Sequence, residues 1–132
     1  MAKRLRLLAA DGADLETVSA LMQDAAIKAA DIAYDAKARR LVILANRYRW
    51  EAQARTRVRT ALRIEAITGL RRRNWPAGDV VLNLLALRGG DTRIEIDFAG
   101  GVSILAGVEC IDVELHDLSR PWGARRTPRH DI

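Results

Sequence analysis

The chain has a single cysteine, Cys110, among its 132 residues. That rules out an internal disulfide framework and any zinc site built from several thiolates. Histidine is almost as scarce, with only His116 and His130. Lacking a His/Cys cluster, the sequence offers no transition-metal ligand set. Glycines occur as Gly89-Gly90 and Gly100-Gly101, which read as hairpin turns rather than as a phosphate-cradling loop opening a helix. No nucleotide or other cofactor is expected. Serine is limited to Ser19, Ser103 and Ser119, none in the strand-to-helix elbow of a serine hydrolase. No apolar run approaches the roughly 18–20 residues of a membrane span. The opening MAKRLRLLAADGADLE has too short an apolar core for a secretory signal. A reduced, cytoplasmic setting is the expectation, with no membrane partner.

Charge is plentiful and unevenly distributed. The formal net charge is +5, and of 22 basic residues only Lys3, Lys28 and Lys37 are lysines. Arginine's planar fork suits carboxylate and phosphate, although any solvated cation keeps a protein soluble. Residues 47–73 are strongly basic and residues 91–118 strongly acidic. Two such segments in one domain favour pairing across neighbouring strands.

The length suits one domain with a core of its own. The organising stretch is Arg93 to Leu115. Ile94, Ile96 and Phe98 alternate with Arg93, Glu95 and Asp97, as on a strand with one buried face. Ala99-Gly100-Gly101 supplies a turn. The second arm changes apolar parity between Cys110 and Ile111, which predicts a bulge or sharp bend. Upstream, Lys3 to Ala10 reads as a strand. Asp14 is the expected cap of one helix, Leu15 to Asp24. Ile27 to Tyr34 and Arg40 to Trp50 form a hairpin candidate. Arg57 to Leu70 reads as one strand with a bulge at Ile67, and Arg71 to Asp79 as a surface loop. Val80 to Leu87 has the apolar continuity of a strand buried on both faces. The resulting class is α+β: a mainly antiparallel sheet, curled or partly closed like a barrel, with one N-terminal helix. The domain is expected over 1–122, with 123–132 a mobile tail.

Few residues carry a chemical signal. His116 followed by Asp117 has the composition of an oriented base, yet stands at a strand end where a polar residue is expected anyway. Glu95, Asp97, Glu109, Asp112 and Glu114 are carboxylates, and the simpler account places them opposite the arginines of 57–63. The most informative stretch is Asn46-Arg47-Tyr48-Arg49-Trp50, continued by Arg55, Arg57, Arg59, the Arg71–Arg73 run and Trp75. Arginine neutralises phosphate while aromatic rings stack on bases, the combination used by single-strand binders. The competing reading has these aromatics in the core and the arginines on a solvated face.

The segments NRYRWE (46–51), LMQDA (21–25) and the FAGG to L-x-DL region (Phe98 to Leu118) together resemble the alphaproteobacterial family called domain of unknown function 2948. The resemblance implies a compact stand-alone bacterial domain, and brings no activity, cofactor or partner with it. It directs attention to Gln23, Asp24, Asp31, Asn46, Arg47, Trp50 and Glu51. Those residues either converge as a site or form a buried network tying helix to sheet. Three functions stand open. The first is a non-enzymatic role, structural or binding a protein partner, self-association included. The second is single-stranded nucleic-acid binding through residues 47–75. The third is a small-molecule or enzymatic site around Asp31, Asn46 and Arg47. Asp31, Asn46, Arg47, Arg49 and Trp50 are the candidate ligand or partner contacts.

Overall fold

The computed structural model describes residues 4–124. Strand β1 (Arg6–Ala9) leads into helix α1 (Gly12–Met22). The Asp11 carboxylate caps the helix by accepting the Asp14 N–H at 2.8 Å, while the Asp14 carboxylate accepts the Ala10 N–H at 3.0 Å. The cap is therefore Asp11 rather than Asp14, and the helix starts three residues earlier than the apolar pattern alone indicates. The reciprocal arrangement is a variant of the capping box, with aspartate at both ends. Leu15, Val18 and Met22 form the buried face. The helix stops short of Asp24, which takes a left-handed φ of 62°. Its N–H turns to the Leu84 carbonyl at 2.9 Å.

The other described elements are strands, with one 3₁₀ turn at Ala29–Asp31: β2 (Ala26–Lys28), β3 (Ile32–Asp35), β4 (Arg40–Tyr48), β5 (Thr56–Ile64), β6 (Ile67–Arg73), β7 (Val81–Gly90), β8 (Arg93–Phe98), β9 (Ser103–Val108), β10 (Val113–Asp117) and β11 (Trp122–Gly123). Every pairing is antiparallel. The strands run β1-β10-β5-β4-β2-β7-β8-β9-β6, with β3 beside β4 and β11 beside β5. No ladder among the described residues joins β1 to β6. The expected α+β curled sheet is present, and it does not close into a barrel.

The curl comes from two strand pairs turning a corner together. At the β8–β9 hairpin, Gly100 and Gly101 have φ of 83° and 74°, and Phe98 N–H bonds to the Val102 carbonyl at 2.9 Å. Beyond it the predicted bend occurs between β9 and β10, with Cys110 exposed on its outside. Opposite, β5 and β6 are separated at Ala66, whose φ is 58°. The ladder survives the corner through Glu65 N–H to Asp112 O (2.9 Å) and Glu109 N–H to Ala66 O (3.0 Å). The single strand expected over 57–70 is thus two. One core fills the curl, with Phe98, Leu15, Met22, Ile43, Leu62 and Leu84 essentially inaccessible. Each such side chain contributes roughly 1.5–3 kcal/mol relative to exposure.

Three other expectations change. Arg71–Arg73 belong to β6, not to a loop, which begins only at Asn74. Strand β7 is buried on one face: Val81 and Leu85 are exposed, because no described element covers the outer side of the sheet there. The first arm of the early hairpin is interrupted by the 3₁₀ turn, so β3 pairs with β4 over four residues while β2 touches β4 only at Ala26–Asn46 and pairs with β7 on its other side. Of the expected tail, Gly123 pairs with Thr56, and residues 125–132, with His130, lie outside the described residues.

Candidate functional site

Strand alternation decides where the NRYRWE side chains go. Leu41, Ile43, Ala45 and Arg47 share the inward parity of β4, so Arg47 is fully buried. Across the sheet, Val113, Leu115 and Asp117 share the inward parity of β10. Asp117 therefore points at Arg47. Its carboxylate accepts Arg47 Nε at 2.9 Å and Nη2 at 2.7 Å. The Glu51 carboxylate, from the turn after β4, takes Nη1 at 2.9 Å and Nη2 at 2.8 Å. One guanidinium thus holds two carboxylates, each through a bidentate fork. Burial by itself would depress the Arg47 pKa, but the hydrogen bonds and charges of Glu51 and Asp117 outweigh it and raise the value above the ordinary one. The Arg47 hydrogen bonds in turn lower the Glu51 pKa below the usual carboxylate range. A permanently charged Arg47 has no proton to transfer, and four of its five N–H donors are engaged by the two carboxylates.

Asn46 faces the opposite side. Its Oδ1 accepts Arg59 Nη1 at 3.2 Å, and Arg59 Nη2 also reaches Asp31 Oδ2 at 3.0 Å. Asp31 and Asn46 thus come together through Arg59, and Arg47 lies across the sheet from them. The expected cluster of Asp31, Asn46 and Arg47 is divided into two networks by the sheet itself. Trp50 ties the turn to the helix end by donating Nε1–H to the Gln23 carbonyl at 2.8 Å. Its ring meets Tyr48 edge-on at 4.7 Å. Arg49 Nη1 donates to Thr56 Oγ1 at 3.2 Å. The motif residues therefore connect helix, sheet and turn, and Tyr48 and Trp50 pack on each other rather than standing open to stack on bases.

The remaining candidates are also accounted for by the fold. His116 faces outward while Asp117 faces inward to Arg47, so they do not form a base pair of the expected kind. Ser19 Oγ accepts the Leu87 N–H at 2.9 Å, and Ser119 Oγ the Arg59 N–H at 3.0 Å. Glu114 does meet Arg63, at 3.1 Å, but Asp97 and Glu95 pair with Arg88 on the adjoining strand instead. Among the described residues, no group of three or more His, Cys, Asp or Glu side chains is arranged to hold a metal ion.

What the fold leaves open is at the other end of β4. Leu41 there forms part of a cleft of about 360 Å³ between β3 and β6, walled by Ile32, Tyr34, Leu70, Ile104, Trp75 and Arg72. The Arg72 guanidinium lies 5.1 Å from the centre of the Trp75 ring, a cation–π distance. On the outer face of the same half-sheet, Arg71, Arg73 and Arg93, with Glu95, surround Ser103 and Leu105 in a second depression of about 370 Å³. Among the described residues these four arginines form no ion pair, whereas Arg6, Arg39, Arg40, Arg47, Arg59, Arg63 and Arg88 all do. β6 is also an edge. After Ile67, whose N–H bonds to the Arg39 carbonyl at 3.1 Å, no described backbone group pairs with its free side. The sequence names Arg71–Arg73 and Trp75 only as part of a nucleic-acid face over 47–75, and the strand edge itself went unread because the arginine run looks like a loop. The signal available was the alternation of Leu70, Arg72 and Asn74 with Arg71 and Arg73.

The chain as a whole belongs to the family described as Protein of unknown function (DUF2948), whose model matches residues 5–130. No curated protein and no solved structure matches it. Among the described residues, no helix is long and apolar enough to cross a membrane.

Proposed function

We propose that the domain acts by binding a partner protein rather than by catalysis, taking an extended acidic segment along the free edge of β6. The observation that carries this reading is an edge strand with unpaired backbone groups among the described residues, beside Arg71, Arg73 and Arg93, none of which forms an ion pair there although Glu95 lines the same depression. An added strand would use the open main-chain donors and acceptors for affinity. The arginines would select for negative charge. They also oppose pairing of two copies through this edge, since β6 against β6 sets like charges side by side. The polar residues around Arg47 serve the fold in this reading, fixing the turn after β4 to β10. A cytoplasmic setting suits such a role, and the exposed free thiol of Cys110 agrees with a reducing compartment.

Single-stranded nucleic acid is the second reading, and the Arg72–Trp75 stack is what favours it. Arg47 and Tyr48 are buried and Trp50, half-buried, is held against Tyr48 and the Gln23 carbonyl, so this reading rests on residues 71–75. One experiment separates the two. A labelled peptide alternating glutamate with threonine and a labelled mixed-sequence single-stranded RNA are titrated at two ionic strengths, with amide hydrogen exchange followed on β6. Peptide binding with slowed exchange at residues 68–72 is the expected result. RNA binding without peptide binding moves the assignment to nucleic acid, and binding of neither overturns both.

A further inference from the structure

We infer that the segment accepted by β6 alternates apolar with acidic residues, its apolar side chains entering the cleft between β3 and β6. This rests on the β6 edge reading above and adds the partner's sequence chemistry to it. Residues on an added strand point alternately to the two faces of the sheet. On the inner face the neighbours are Leu70 and Arg72 of β6, with Tyr34, Ile32 and Trp75 across the opening. On the outer face they are Arg71 and Arg73, with Arg93 two strands further in. A strand that is acidic on both faces leaves the apolar walls wet. One that is apolar on both faces gives Arg71 and Arg73 no direct partner, and neither has an ion pair among the described residues, Glu95 of the same depression included. Only alternation satisfies both sides.

The cleft is open because the sheet stops there. β3 pairs with β4 and β6 with β9, and neither reaches the other among the described residues. Helix α1 covers the region of β7, β1 and β4 instead. Tyr34 is consequently left 41% exposed at the mouth of this cleft. The volume, about 360 Å³, is within the range of small binding pockets and holds a few aliphatic side chains rather than a large ligand. Charge selects the occupant. A second copy of this edge would oppose arginine with arginine. The chain's own last residues, with Arg125, Arg126 and Arg129, carry the wrong sign.

The test replaces threonine with valine in the alternating glutamate peptide, an exchange of a hydroxyl for a methyl at nearly constant shape. The valine peptide is expected to bind at least about tenfold more tightly. Tyr34→Ser, at an exposed position, is expected to remove that preference while leaving the threonine peptide's affinity unchanged. Equal affinities for the two peptides, or a preference that survives Tyr34→Ser, would overturn the inference yet leave the β6 edge reading standing. Failure of both peptides to bind would remove the edge reading itself. Arg71→Ser with Arg73→Ser is expected to weaken both peptides alike, and a selective loss of the valine peptide there also counts against the alternation.

Discussion

Arg47 and Asp117, 70 positions apart in sequence, meet through two parallel hydrogen bonds of 2.9 and 2.7 Å inside the curled sheet. With Asp117 deleted, the buried Arg47 keeps its desolvation cost and is left with the Glu51 fork alone. Asp117→Ala is therefore expected to destabilise the fold by about 2–3 kcal/mol, below the roughly 3–5 kcal/mol of a fully stranded buried charge. The double change Arg47→Met with Asp117→Leu should cost less than the single one, since no charge remains stranded at Asp117. Glu51, half-exposed, can turn to solvent when Arg47 is gone. Denaturant unfolding of the two variants decides it: a double variant less stable than Asp117→Ala would show that the pair does more than neutralise itself.

Glu51 is the second ligand of the same guanidinium, and the hydrogen bonds from Arg47 hold its pKa below the ordinary 4.5. The unfolded state therefore binds its proton at higher pH than the folded state does. The stabilisation is fully present above about pH 4.5 and falls away as the pH drops through the lowered folded value. Glu51→Gln should consequently lower stability near neutrality and flatten the acid limb of the stability profile. A variant whose loss of stability is as large at pH 3 as at pH 7 would contradict this sign.

The sheet, the single helix and the bend were readable because each follows from local pattern. Ile94, Ile96 and Phe98 alternate cleanly, and the parity change near Cys110 marks the corner. The Arg47 site was not readable, since a charge on the buried parity of β4 makes sense only once Asp117 is known to lie opposite. Nothing local brings residue 47 to residue 117. The break at Ala66 was readable only as a bulge at Ile67, where the β6–β9 register does shift, because alanine gives no warning of a left-handed backbone, whereas glycine would have. Strand β7 misled because Val81 and Leu85 are apolar yet face outward, and apolar continuity alone does not distinguish two covered faces from one.

Ala66 itself provides a stability test. At φ 58° an L-residue with a Cβ is strained by roughly 1–2 kcal/mol, part of which glycine recovers at the expense of a more flexible unfolded chain. Ala66→Gly is expected to raise the unfolding free energy by up to about 1 kcal/mol. A lower denaturation midpoint for the variant would mean that the Ala66 methyl contributes packing at the corner beyond its strain.

Gly89 makes the opposite case. A Cβ there would lie 2.5 Å from the Arg93 carbonyl oxygen and 3.1 Å from Leu15 Cδ2. The first contact is with backbone of the paired strand and cannot rotate away; the second is with the buried face of α1. Gly89→Ala should therefore loosen the β7–β8 turn and the seating of the helix together, at about 1–3 kcal/mol. The measurement is thermal unfolding with helix-region amide exchange, where faster exchange at Val18 and Met22 is expected and an unchanged melting point would refute the steric account.

The β6 edge carries a final consequence for the free protein. Arg71, Arg72 and Arg73 stand on a strand whose outer backbone groups are unpaired among the described residues. An edge of this kind templates association unless charge prevents it. Replacing Arg71 and Arg73 with threonine removes the repulsion while keeping residues that suit a strand. The variant should keep the wild-type melting temperature, because neither arginine forms an ion pair with a described carboxylate. It should nevertheless self-associate in a concentration-dependent way, most strongly at low ionic strength relative to the parent. Sedimentation velocity on both proteins tests this, and a variant that sediments like its parent at every concentration would show that β6 is blocked by something other than its arginines.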